Sequence, residues 1–214
     1  MIISRLHLTT LIGIVVGIWS FFLILAGFTL TQALFDPFSK VIGVLVIILL
    51  LFDKWLWKLS FLHPWFISTP DISGTWKGKI VSSWTNPKTG ESIEPIDAFL
   101  VIYQTFSSIN IRMITKESKS DLLSGNFIQN EAGPRKIAGI YNNIPNIMIR
   151  DRSPIHYGGL LLEIHTDNTH LDGEYWTDRN TKGSLKFDKN VKKTFDNFDS
   201  ALSAFQSLDH TVSS

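Results

Sequence analysis

Two regimes of hydrophobic pattern divide the chain. Residues 6–35 form a run of thirty without a charged side chain, unless His7 is protonated, and residues 41–52 form a second, shorter run between Lys40 and Asp53. After Asp71 the pattern becomes short alternating runs separated by Gly, Pro, Asn and Asp, which is how half-buried strands and their turns read.

The N-terminal runs predict helices. A bilayer core takes about 20 apolar residues in a helix, and a signal peptide carries an apolar stretch of only about 7–15. The first run is therefore expected to span a membrane. The second rises roughly 18 Å by itself. Phe35, Pro37 and Phe38 on one side and Trp55, Leu56, Trp57 and Leu59 on the other can lengthen it, with Lys40, Lys54 and Lys58 reaching back to water. A re-entrant or interfacial helix is the alternative for this run. Residues 1–62 are thus expected to be a two-span transmembrane hairpin that turns at Asp36-Pro37. Arg5, Lys54 and Lys58 place both ends in the cytoplasm by the positive-inside tendency. The spacing Gly13-x-x-x-Gly17 allows close helix approach, either as an oligomerisation face or against the second span. His63-Pro64 and Thr69-Pro70 bracket a stiff linker over residues 63–70.

The β-region opens at Ile72-Ser-Gly-Thr-Trp-Lys-Gly78. Ile72, Trp76, Ile80 and Trp84 share one face of an extended segment. Gly74 and Gly78 inside it predict bending or close backbone approach. Further strands are expected over residues 93–106, 109–115, 122–129, 136–141, 155–165, 171–177 and 183–187, with 147–150 attached to one of them or separate. No helical period interrupts them. The expected fold is an all-β antiparallel barrel of about eight strands over residues 71–190, calycin-like and up-and-down; a sandwich is the rival topology. In the tail, residues 191–214, Val191, Phe195, Phe198, Leu202 and Phe205 recur at spacings of three and four and predict an amphipathic helix packed on or plugging the barrel, with a frayed end from Leu208.

Composition narrows the chemistry. The net charge of +1 gives no long-range attraction for nucleic acid, so no DNA or RNA partner is expected. The chain has no cysteine, which excludes disulfides and thiolate metal sites. It carries no nucleophile elbow, phosphate loop or paired-histidine metal motif. His156 and His165 lie on opposite faces of one expected strand, and Glu163 and Glu174 fit a solvated outer face, so no metal site and no enzyme are expected.

The β-region does mix tyrosines with arginines. Tyrosine rings and guanidinium planes stack on bases, and arginine takes phosphate with paired hydrogen bonds. The candidate ligand residues are Tyr103, Arg112, Tyr141, Arg152, Tyr157, Tyr175, Thr177 and Arg179. Arg150 belongs to the same group of cations. For the 109–115 strand, packing Ile109, Ile111 and Met113 inward sends Asn110 and Arg112 outside, and the other register aims them at a ligand. The turn around Arg179, Asn180 and Thr181 can cover a bound anion or stand as a solvated hairpin.

Two closely spaced apolar runs, a Pro-bounded linker, the opening Ile72-Ser-Gly-Thr-Trp-Lys-Gly78 and a late Leu171-x-Gly-x-Tyr-Trp-Thr177 resemble the SMODS-associated two-transmembrane, β-strand-rich effectors of bacterial CBASS antiphage systems, with their STING-like β-barrel. The resemblance implies a cytoplasmic barrel on a multi-pass inner-membrane protein. It implies that the barrel binds a cyclic dinucleotide made by a partner nucleotidyltransferase and self-associates, and that the spans then disrupt the lipid bilayer in abortive infection. No cofactor beyond the activating ligand is implied. Two other readings stay open: a membrane-tethered barrel carrying an apolar ligand, and a structural subunit of a membrane complex. Inward arginines favour the nucleotide; an all-apolar hollow favours a lipid.

Overall fold

The computed structural model describes residues 5–25, 36–63, 65–86, 89–128 and 134–212. The chain falls into two compact units: residues 1–71 with 105–107, and residues 72–104 with 108–214.

The first unit holds helices α1 (Arg5–Leu25) and α2 (Asp36–Lys54), followed by single helical turns at Leu56–Lys58 and Ser60–Leu62. Phe106 and Ser107 are tied to the end of α2: the Phe106 amide donates to the Asp53 carbonyl at 2.9 Å and the Ser107 amide to Asp53 Oδ1 at 2.8 Å. Phe106 packs edge-on to Phe52 with centroids 5.0 Å apart, and Trp57 is fully buried in the same unit.

These helices correct the expected hairpin. Among the described residues, no helix is long and apolar enough to cross a membrane. In α2 the charges of Asp36, Lys40, Asp53 and Lys54 fall within the helix itself. The uncharged stretch between them rises roughly 18 Å against a hydrocarbon core of about 30 Å. The described part of the first run ends at Leu25. The two-span transmembrane hairpin is therefore not supported. The multi-pass inner-membrane location and the lipid partner inferred from it lose their basis. The turn expected at Asp36-Pro37 is instead the start of α2, and residues 26–35 of the first run lie outside the described residues. A Cβ on Gly13 or Gly17 would meet nothing within 4 Å among the described residues.

The second unit is a closed barrel of eight antiparallel strands in chain order: β1 (Gly74–Ser82), β2 (Ile96–Gln104), β3 (Ile109–Thr115), β4 (Ser118–Ile128), β5 (Arg135–Pro145), β6 (His156–Ile164), β7 (Leu171–Thr177) and β8 (Lys182–Val191). β8 pairs back onto β1, which closes the sheet and removes its edges. The sandwich is thereby excluded. Two glycines in β1 permit this closure. Gly74 has φ +113°, and a Cβ on it would stand 2.2 Å from the Val191 carbonyl. A Cβ on Gly78 would stand 2.0 Å from the Lys186 carbonyl, next to the bulge at Lys77/Gly78 in the β1–β8 pairing. Of the turn signals at residues 86–90 and 131–134, residues 87–88 and 131–133 lie outside the described residues, and the Gly90 amide donates to the Asn86 carbonyl at 2.7 Å.

Strand alternation sends Trp76, Ile102, Ile111, Ile137, Leu162, Leu171 and Phe187 inward, where they fill the end of the barrel nearest Ile72. Each such buried side chain contributes about 1.5–3 kcal/mol. The Trp76 indole N–H donates to the Ile72 carbonyl at 2.8 Å, and the Ile72 amide to Gln104 Oε1 at 3.0 Å, so the polar atoms of this end are paired.

Helix α3 (Phe198–Val212) packs on the outside of the barrel, not in its mouth. Phe205, Ala201, Leu202 and Phe198 cover Phe99, Val101 and Ile114, the outward residues of β2 and β3. The helix begins later and runs further than its apolar spacing suggests. Val191 still belongs to β8, and Asn197 Oδ1 accepts the Ser200 amide at 2.9 Å as an N-cap.

Candidate ligand site at the polar end of the barrel

The inward residues change character along the strands. Toward the ends of β3, β5 and β7 and the starts of β4, β6 and β8, the aliphatics give way to Ser120, Asn143, His156, Tyr141, Tyr175 and Thr177. The register fixes this set: Asn143 faces both Ser120 and His156, Tyr141 faces Gly158, and Gly158 faces Thr177. Ser120, Asn143, His156, Tyr141 and Thr177 are all buried.

Most of their polar atoms are spoken for, and the exceptions define the site. Asn143 Nδ2 donates to Ser120 Oγ at 2.8 Å and to Ser118 Oγ at 3.1 Å. The Thr177 and Thr181 hydroxyls are 2.7 Å apart and close the β7–β8 turn. The Tyr141 hydroxyl has no hydrogen-bond partner among the described residues. Burial pushes its pKa well above the ordinary phenol value, and neighbouring Tyr175 pushes the same way. This phenol therefore stays protonated and can donate. His156 sits below the ordinary histidine pKa, chiefly because burial disfavours the cation. Its Nδ1 lies 3.1 Å from the Pro154 carbonyl, which fixes the proton there and leaves Nε2 as an acceptor.

A cleft of about 460 Å³ opens at this end, within the range of small-ligand pockets. Tyr141, Gly158, Thr177 and Asp178 line it, with Tyr157, Gly159, Trp176, Ile140 and Leu123 on the outer side. The two adjacent glycines make this possible. A Cβ on Gly158 would meet the Tyr141 ring on the inside, and one on Gly159 would meet the Trp176 indole on the outside. Leu123 reaches the cleft from the bulge between Leu122 and Ser124.

The sequence-predicted residues separate into three groups. Tyr141, Tyr157 and Thr177 line the one cleft; Tyr175 lies beside Tyr141 on the inner face, and Arg179 follows in the next turn. Arg152 lies in the β5–β6 connection, exposed and paired with Glu117 Oε1 at 2.6 Å. Tyr103 and Arg112 point outward from β2 and β3, with Arg112 Nε 2.6 Å from Asp121 Oδ1. That carboxylate holds Arg112 above even its usual high pKa. Tyr157 also points outward and lines the cleft from its outer side, with Trp176, Ile140 and Leu123.

Sequence reasoning weighed His156 only as a metal ligand and set it aside, and it passed over Asn143 and Ser120 as site residues, since lone polar side chains carry no motif. His165 is not inside: its Nε2 meets Asp172 Oδ2 at 2.8 Å beyond the strand end. Glu163 pairs with Lys136 on the outer face at 3.1 Å.

A closed eight-stranded barrel, packed solid at one end and polar at the other, is the framework of a small-molecule receptor. The family model described as "Cap15, cyclic dinucleotide receptor domain" matches residues 67–189, and the chain belongs to that family. It is also similar to the CD-NTase-associated protein 15 of Staphylococcus schleiferi, with 26% identity over 185 residues, covering 86% of this chain and 96% of that protein.

Proposed function

We propose that this chain is a non-enzymatic effector of a CBASS antiphage system whose barrel senses a cyclic dinucleotide at its polar end and self-associates on binding. Membership of the cyclic dinucleotide receptor family supports the ligand class. The observation that carries the reading is Arg179, a cation at the polar end whose guanidinium, among the described residues, is held only by the neutral Ser153 hydroxyl and His156 imidazole. A phosphate finds a guanidinium there that no carboxylate of the described residues has taken.

In this reading Arg179 takes a phosphate, and the Tyr141 hydroxyl donates to the ligand. The rings of Tyr157 and Trp176, both more than half exposed, offer faces for a base. Arg150, bonded to the Pro145 carbonyl at 3.2 Å and to no carboxylate among the described residues, is the second available cation. The cluster of buried side chains toward the Ile72 end weighs against the apolar-carrier alternative, because an acyl chain would have to take the space those side chains fill. Self-association follows only if the bound ligand has a higher affinity for the associated form. The exposed Leu123, Ile140, Tyr157 and Trp176 are the apolar surface available for it.

The test is calorimetric titration of the full chain with cyclic di-AMP, cyclic di-GMP and cyclic GMP–AMP. Saturable binding to at least one, lost in Arg179→Gln and kept in Arg112→Gln, is expected. Failure to bind any cyclic dinucleotide of a full panel overturns the assignment.

A further inference from the structure

Arg179 joins two connections that the strands leave separate. It sits in the β7–β8 turn, which is fastened by the Thr177 amide donating to the Thr181 carbonyl at 2.9 Å. From there its Nη1 donates to Ser153 Oγ at 3.2 Å and its Nη2 to His156 Nε2 at 3.4 Å, both in or beside the β5–β6 connection. The second contact requires the neutral histidine tautomer that Pro154 selects. Among the described residues no carboxylate takes part. Arg152 and Arg112, by contrast, each sit 2.6 Å from a carboxylate oxygen.

Hydrogen bonds from a guanidinium to phosphate oxygens are shorter and stronger than those to a hydroxyl or an imidazole. An anionic ligand at the polar end therefore competes well for Arg179, and its gain is the loss of Ser153 and His156. The connection so released, residues 146–155, exposes Met148 at 87% and Ile147 at 66%, while the Asn146 amide and Arg152 still hold it to Glu117 at 2.7 Å and 2.6 Å.

We propose that Arg179 is a latch: bonded to Ser153 and His156 it ties the β5–β6 connection to the β7–β8 turn, and a ligand phosphate releases that connection by taking the guanidinium. This inference rests on the cyclic dinucleotide reading above. It makes Ser153 and His156 competitors of the ligand, not its contacts.

Two variants of the full chain, Ser153→Ala and Arg179→Gln, separate the roles. Amide exchange of residues 146–155 and the affinity for cyclic di-AMP, cyclic di-GMP and cyclic GMP–AMP are measured on each. Both variants are expected to speed exchange without ligand, by about fivefold, the change one neutral hydrogen bond supports. Ser153→Ala is expected to tighten binding a few-fold, because Arg179 is partly freed, while Arg179→Gln weakens it about tenfold or more. Unchanged exchange in both variants overturns the latch, and so does weaker binding by Ser153→Ala. If the wild-type chain binds no cyclic dinucleotide of a full panel, yet both variants still speed exchange, the bridge is a plain structural tie. The functional assignment and the latch then fall together. If the wild type binds but exchange is indifferent to both variants, the latch alone falls.

Discussion

Gly158 on β6 lies directly against the ring of Tyr141 on β5: a Cβ at position 158 would stand 2.5 Å from both Cζ and the hydroxyl oxygen. The neighbouring Gly159 does the same for Trp176 on the opposite face of the sheet, at 2.4 Å from the indole. Gly158→Ala must push the buried phenol out of place, with an overpacking cost of about 1–3 kcal/mol. Gly159→Ala displaces a ring that is already half exposed and should cost less. Urea unfolding of the two variants is expected to rank them in that order, and Gly158→Ala should also lose ligand affinity measured at saturating stability, in the cold. Equal losses in both would mean that Tyr141 has room to move.

The Tyr141 hydroxyl gives a cleaner separation of stability from binding. It has no protein partner to lose among the described residues, so Tyr141→Phe should leave the unfolding midpoint unchanged or raise it slightly, because a buried polar group is removed. Cyclic dinucleotide affinity should fall about tenfold if the phenol donates to the ligand. A variant that binds like wild type would take Tyr141 out of the recognition set.

His156 makes stability depend on pH in a defined direction. Its pKa is lowered by burial first and by Arg179 second, against the opposing Pro154 hydrogen bond and Asp178. The unfolded chain therefore binds a proton more readily than the folded one. Stability is complete above the unfolded value of 6.5 and is lost as pH falls from there toward the folded value. Thermal midpoints recorded between about pH 7.5 and pH 5.5 should decline for the wild type and flatten in His156→Gln, which keeps an acceptor but cannot titrate. A wild-type midpoint that rises on acidification would contradict the burial of a neutral imidazole.

The barrel was readable because each strand alternates and each turn carries its own residues. Gly74 and Gly78 predict bending or close backbone approach without naming the neighbour, and the backbone that approaches them is that of β8. The facing of individual side chains was harder, and β3 explains why. Ile114 points outward yet is buried, because Phe198 and Phe205 of a helix far along the chain cover that wall. Both faces of β3 consequently look apolar in sequence, and Arg112 could be read either way; the structure places it outside, against Asp121. Tyr157 defeated the pattern differently, because the cleft it lines lies mostly on the outer face. Asn143 carried no local signal, since its partners Ser118 and Ser120 come from β4; the Pro154 partner of His156 is local, but its burial is set by barrel closure. The N-terminal expectation failed on length within the element: α2 takes its flanking charges into the helix, so its apolar stretch is shorter than its helical one.

Helix α3 lies beyond the residues matched to the receptor family, which end at 189. Its role should then be separable from ligand binding. Phe205 is 2% exposed and stacks at 5.6 Å from Phe99. Phe205→Ala opens a cavity on the β2–β3 wall and should cost about 3–5 kcal/mol. Asp209 anchors the far end of the helix through Lys189 at 2.7 Å and Lys77 at 3.8 Å, but both pairs are solvent-exposed. Asp209→Asn should therefore leave the urea midpoint where it is. Because the α3 face of β2 and β3 and the polar mouth are formed by different sides of the sheet, Phe205→Ala should retain wild-type affinity for the cyclic dinucleotide wherever it remains folded. A loss of affinity in the folded Phe205→Ala chain would show instead that α3 shapes the site through the wall it covers.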